Sequence, residues 1–345
     1  MANNYEAWGF TLDGFDGLDS FQDRLKFFLN FAVLAPSSHN SQPWRFLIED
    51  NHILVSLEPQ RSLPDSDRNN RQAYISIGCA LENIVIGADY CGYRTDIIFL
   101  AKADSANLIV KIGFSEVPNF TPPQDHLARF ITKRVTNRNP YKQEELPGTI
   151  LDLLRGMNTE STKIFVITDY DKKREVAEIA VRASVDAMRS SSFRKELAQY
   201  VTSNKTAAHI GMPGFGFGMP LPVSVLVPHL IKWFNMNKIN AKKDLKLLKE
   251  RTPTLVIIAT SNDNPNSWME VGRLYERVAL TATKLGLATA MWASPIQIGE
   301  HYKELQQALG TGFRPQALFG LGKPIGFTPH SPRLGSGQVS GFLPC

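Results

Sequence analysis

With 345 residues, 43% of them hydrophobic, the chain can bury one large core or two domain-sized ones. Its 38 basic and 33 acidic side chains leave a formal charge of only +5, and no compact basic motif accompanies it, so nucleic acid is not an expected partner. Three scattered cysteines without a CxxC pair argue against a disulfide framework or a cysteine metal site, and the seven histidines lack helical pair spacing.

The N-terminal stretch MANNYEAWGFTLDGF has neither a basic start nor an apolar core, so it does not read as a secretory signal. An apolar helical run, LKFFLNFAVLA, then stops at Pro36. Ser37, Ser38, His39, Asn40 and Ser41 follow, and Gln42-Pro43-Trp44 leads into a strand at Phe46–Ile48. A helix end thus delivers short hydrogen-bonding groups and an aromatic to one place, a plausible grip on a planar polar cofactor. The same composition is also ordinary turn material.

The chain then repeats itself. In GCALENIVIGADYCGYRT (78–95) and GRLYERVALTATKLGLAT (272–289), Gly78, Glu82, Ala88, Gly92 and Thr95 recur without a gap as Gly272, Glu276, Ala282, Gly286 and Thr289. Each segment reads as a helix with a broad apolar face ending at a glycine, then a strand, at Asp96–Leu100 and Ala290–Ala293. Weaker echoes pair strand 41–50 with 161–169, and 106–114 with 315–323. The join SEVPNFTPPQDH (115–126), with three prolines, reads as a linker between halves at 20–117 and 126–345. Two similar halves imply a fused homodimer, in which one of two equivalent clefts can be lost while the other keeps parts from both halves.

The second half opens with FITKRVTNRNPY, where Lys133, Arg134 and Arg138 surround Thr136 and Glu144-Glu145 are expected to start a helix. Guanidinium and hydroxyl donors of this kind suit phosphate, and equally a solvated charged surface. Residues 202–252, rich in Gly, Pro, Phe and Met, read as an insertion. The options for it are a lid over an apolar chamber, a domain-packing loop, or a membrane-surface patch, because a lysine-rich helix follows. No uninterrupted apolar run approaches the roughly 20 residues of a membrane span, and the cytoplasm is the expected location.

APSSHNSQPWRF together with KRVTNRNPY resembles the nitroreductase superfamily of FMN flavoproteins, specifically its long single-chain Acg-type branch. The resemblance spans most of residues 20–335. It implies an α+β nitroreductase-like fold, with two halves fused as an intramolecular pseudo-dimer and mostly antiparallel sheets flanked by helices. It also implies FMN as cofactor, NAD(P)H as donor, and a flat acceptor such as a nitroaromatic or quinone. No residue stands out as nucleophile or general base, the resemblance implies a mechanism that requires none, and a monomer is expected because the dimer is internal. Carried over position by position, Arg134 and Thr136 match the phosphate-binding Arg and Ser, with Thr in place of the commoner Ser. Arg138 matches a basic position on the ribityl and pyrimidine side. Pro36, Ser37, Ser38 and Asn40 match the element reaching the flavin from the other half. Trp292, Ala293, Ser294 and Pro295 occupy the loop lying against the ring. Arg333, or more weakly Lys323, matches a second phosphate-directed cation. An Asn and a Lys that some relatives carry before strand 252–260 have no assigned position here, although the basic run KKDLKLLKER (242–251) lies beside that strand. The other readings are a flavin-sequestering protein with little turnover, and a binder that has lost its cofactor.

Overall fold

The computed structural model describes residues 3–100, 108–235 and 237–342. The first two residues of the expected strand 106–114 and the end of the expected half 126–345 lie outside the described residues. Along the chain run α1 (Phe21–Ala32), β1 (Trp44–Glu49), β2 (His52–Leu57), α2 (Arg71–Tyr90), β3 (Tyr93–Phe99) and β4 (Leu108–Glu116). After the proline-rich join come α3 (Ala128–Ile131), α4 (Gly148–Gly156), β5 (Thr162–Ile167), α5 (Tyr170–Arg189), α6 (Ser191–Tyr200), β6 (Val201–Thr202), β7 (Met212–Pro213), α7 (Leu221–Trp233) and α8 (Asn237–Glu250). The chain continues through β8 (Thr254–Thr260), α9 (Pro265–Lys284), β9 (Ala288–Met291), α10 (Ser294–Gln297), α11 (His301–Leu309), β10 (Arg314–Gly322), α12 (Ser336–Val339) and β11 (Ser340–Phe342).

Among the described residues, one sheet has the order β11-β1-β2-β4-β3 and another β5-β8-β10-β9, with β6 and β7 paired separately. The two orders superimpose when β5, β8, β9 and β10 are matched to β1, β2, β3 and β4. Pairing within both is antiparallel, except that β11 joins β1 in parallel. In each half the long helix, α2 or α9, connects the second strand to the third. The α+β architecture of two fused, similar halves is therefore present in the structure.

α2 and α9 cross at the repeat's first glycine. A Cβ on Gly78 would meet the Met269 carbonyl oxygen at 2.0 Å, and one on Gly272 would meet that of Ile75 at 2.0 Å. Met269 and Ile75 each precede the opposite glycine by three residues, so the contact is self-complementary, as an isologous dimer interface must be. Both helices end as their sequences require, with Gly92 and Gly286 in the left-handed region at φ +78° and +70°. The main core runs through this crossing and draws on both halves: Phe28, Phe31, Trp44 and Ile77 on one side, Tyr275, Val278 and Phe319 on the other.

One local expectation needs correction. Glu144 and Glu145 do not start a helix; α4 begins at Gly148, because Pro147 disfavours helical geometry at the residues before it. The expected insertion 202–252 falls inside a longer connection. Everything from 168 to 253, including α5 and α6, lies between β5 and β8, where β1 and β2 are joined by the two-residue turn Asp50-Asn51.

Candidate functional site

A cavity of about 400 Å³ opens beside the α2–α9 crossing. Its wall takes Pro36, Ser37, Ser38 and His39 from the loop after α1. From the second half come Thr136, Arg138, Tyr275, Met291, Trp292, Ala293 and Ser294. Eight of the residues expected from sequence thus share one cavity, although almost a hundred positions separate the serine loop from Thr136.

The serine loop is held by its own geometry. His39, Asn40 and Gln42 sit at φ +52°, +55° and +53°, which coils the chain tightly enough for Ser37 Oγ to accept from the Gln42 N–H at 2.9 Å. The Gln42 side chain clamps the loop to remote segments. It donates to the His209 carbonyl at 2.8 Å and accepts from the Leu334 N–H at 2.9 Å. The Ser38 N–H donates to Ser76 Oγ at 3.3 Å, and Ser76 in turn donates to the Gln72 carbonyl at 2.6 Å.

Arg138 is the distinctive charge. Its guanidinium lies 5.1 Å from the Phe217 ring centroid and 3.7 Å from Met212 Sδ, and among the described residues no carboxylate pairs with it. Burial lowers its pKa from the usual arginine value. Burial, seconded by the Arg138 charge, also holds His39 down at about 4, so the imidazole in the wall is neutral at neutral pH. Gln72 Nε2 and His39 Nδ1 are buried without a hydrogen-bond partner. Unmet polar atoms beside a buried, unpaired guanidinium suit an anionic or carbonyl-rich ligand.

The remaining expected residues do not reach the cavity. Asn40 donates to the Gly211 and Pro332 carbonyls, both at 2.9 Å, and its Oδ1 accepts from Arg333. Arg134 is buried, donating to the Leu34 carbonyl at 2.9 Å, with Nε 3.2 Å from Glu276 Oε1. Arg333 is buried against Trp8, its charge centre 4.9 Å from the ring. Pro295 is a buried residue of α10 itself and does not line the cavity. Asn40, Arg134 and Arg333 are engaged by internal partners and do not line the cavity. They form a layer behind the wall, in which one carboxylate faces two guanidiniums. Burial raises the Glu276 pKa to about 7, and burial lowers that of Arg333 to about 9. Lys323 lies away from the cavity, 3.8 Å from Glu144.

Sequence reasoning missed Gln72, Ile75, Ser76 and Cys79, which line the cavity from one face of α2. Their spacing is helical, and two polar residues on an otherwise apolar face were the available signal. It also missed Lys243 and Asp244 of α8, where burial raises the Asp244 pKa to about 6.

No family model matches the sequence. Two Mycobacterium tuberculosis proteins do match along nearly their whole length. The one named "Putative NAD(P)H nitroreductase acg" is 24% identical over 328 residues, covering 90% of this chain and 94% of its own. The one named "Putative NAD(P)H nitroreductase Rv3131" is 24% identical over 309 residues, covering 88% and 86%. The chain is a distant, full-length relative of the Acg-type proteins of the nitroreductase superfamily. A crystal structure described as a putative nitroreductase from Anabaena variabilis aligns over 93% of this chain and 91% of its own, with a TM-score of 0.53 at 12% identity. That alignment shows that the nitroreductase-like fold extends across both halves. No helix among the described residues is long and apolar enough to cross a membrane.

Proposed function

We propose that this protein is an FMN-dependent oxidoreductase that takes hydride from NAD(P)H and passes it to a flat electrophilic acceptor, a nitroaromatic or a quinone. The observation that carries this reading is Arg138: a cation without a carboxylate partner, inside a cavity walled by both halves. FMN, when bound, supplies the hydride store. Ser37, Ser38, Thr136 and Ser294 offer hydroxyls to its polar edges, and Gln72 Nε2 offers a free donor. Arg138 favours the anionic, reduced state through its charge. The Arg134–Arg333–Glu276 layer adds a positive field from behind the wall without contact. Met212, Phe217 and Met219 close the cavity with apolar surface and exclude water. In this reading the chain divides at 115–126, and part of 202–252 acts as the lid.

Purified protein should be yellow, and anaerobic NADPH should bleach its flavin bands within seconds. A colourless protein that takes up no FMN overturns the proposal. In a redox titration, Arg138→Ala should lower the flavin midpoint potential by roughly 30–60 mV, equivalent to about 1.4–2.8 kcal/mol for two electrons. An unchanged potential removes the role given to Arg138. The cover contributed by α7 and α8, with Ile231, Ala241 and Leu247 in the cavity wall, also favours a second reading, flavin sequestration. That reading requires bound FMN that NADPH bleaches only over hours.

A further inference from the structure

α7 presents two unlike faces. Ser224, Val227 and Ile231 are buried, and Ile231 reaches the cavity wall. The opposite face is apolar yet faces solvent: Leu221, Val223, Val225 and Leu230 are exposed, and Leu226, Trp233 and Phe234 are 60%, 67% and 62% exposed. A folded surface rarely leaves so many large apolar side chains together without something to cover them.

The charge of this helix and of the sequence on either side of it indicates what covers the face. From Glu196 to Asp244 the sequence contains no acidic residue, while Lys205, Lys232, Lys238, Lys242 and Lys243 fall between them. Among the described residues, Lys232, Lys242 and Lys246 make no ion pair, and Lys232 lies 5.3 Å from the Trp233 ring centroid. A second copy of the chain would bring the same basic segment against itself. Nucleic acid would be met by Leu and Val side chains, which offer phosphate nothing. An anionic lipid surface satisfies both features: it takes the apolar face into its acyl boundary and neutralises the lysines with its headgroups. Trp233 and Phe234 close the helix with the aromatics suited to that boundary.

We propose that α7 docks this protein on anionic phospholipid membranes, lying in the interface without spanning it. This does not depend on the flavin reading, because it concerns the outer face of the helix. One consequence is that the same helix would rest on lipid and wall the cavity.

The test is co-sedimentation of the full-length protein with phosphatidylglycerol–phosphatidylcholine vesicles and with pure phosphatidylcholine vesicles. The expected result is binding to the anionic vesicles that falls sharply at about 0.5 M salt, where screening shortens the reach of the lysines. The exposed double substitution Leu226→Glu/Trp233→Glu should weaken partition roughly tenfold or more. Thermal melting and circular dichroism of the variant check that its fold is intact; should it not fold, Lys232→Glu replaces it, with weaker binding expected. Equal binding to neutral vesicles overturns the proposal, as does no binding to either. A dimer in sedimentation velocity that Leu226→Glu dissociates, without vesicle binding, assigns the face to a second copy and also overturns it.

Discussion

The two halves agree where backbones touch and differ where a ligand would sit. At the α2–α9 crossing, Gly78 and Gly272 make the same contact in both directions. One turn away the equivalence ends. Gln72, Ser76 and Cys79 of α2 line the cavity; the matching positions on α9 are Asn266, Glu270 and Arg273. There Arg273 bonds Glu270 at 3.2 Å and Glu82 at 3.0 Å, and Arg277 also pairs with Glu82. The cleft position on one side therefore carries small side chains, and the other carries an ion network. Glu276, the counterpart of Glu82, has Cys79 and Asn83 where Glu82 finds two arginines, and takes Arg134 from another segment. The second difference lies in the connection between the first two strands. The first half needs only Asp50-Asn51, whereas the second runs through α5–α8 and covers the open cleft with them. Duplication kept what the backbone contact demands and let the site diverge.

The strongest challenge to this symmetry is Gly78→Ala. A methyl aimed at a carbonyl 2.0 Å away must force the helices apart, and denaturant unfolding should show a loss of about 3 kcal/mol. Gly272→Ala should cost about the same, with the double variant less than additive; unequal costs would break the equivalence. Next comes transplantation of the closed side into the open one. Ser76→Glu/Cys79→Arg should reduce FMN uptake about a hundredfold, near 2.7 kcal/mol, while the circular dichroism spectrum is kept. Retained uptake would separate the cavity from the cofactor. Glu82→Gln strands two arginines that are part-exposed, so a loss of about 2 kcal/mol is expected.

Glu276 gives the most distinctive effect, a change in the pH dependence of stability. Its folded pKa, about 7, lies above the ordinary value of 4.5. Between those values the folded state binds more protons than the unfolded state, so this group makes stability fall as pH rises from 4.5 to 7. Glu276→Gln should flatten that part of the stability–pH curve, as measured by urea midpoints. An unaltered slope would mean that the carboxyl is not held in its buried, raised state.

Much of the scaffold was legible because its constraints are local. Helix periodicity and terminal glycines marked α2 and α9, and β8 and β10 stood out as apolar runs. The serine loop and Arg138 were legible through motif. What escaped depends on distance. Nothing near Arg134 announces that Glu276 lies 3.2 Å away, and nothing near Asn40 announces the Gly211 and Pro332 carbonyls. Residue type alone made Arg134, Arg333 and Asn40 look free to bind a ligand. Tertiary packing assigned them other partners. The hairpin strand β2 and the terminal strand β11 were missed as well, the latter because its partner is far away in sequence.

That last pairing bears on how the molecule is made. β1 has β2 on one edge, but its other edge is covered only when Ser340 reaches Phe46. The N-terminal segment is likewise fastened late, by Asn4 to the Thr206 and Ala208 carbonyls and by Trp8 to the Ser331 carbonyl. During translation the first sheet keeps a bare strand edge until Ser340–Phe342 has left the ribosome. Contacts this remote in sequence close slowly and leave the nascent chain open to mispairing meanwhile.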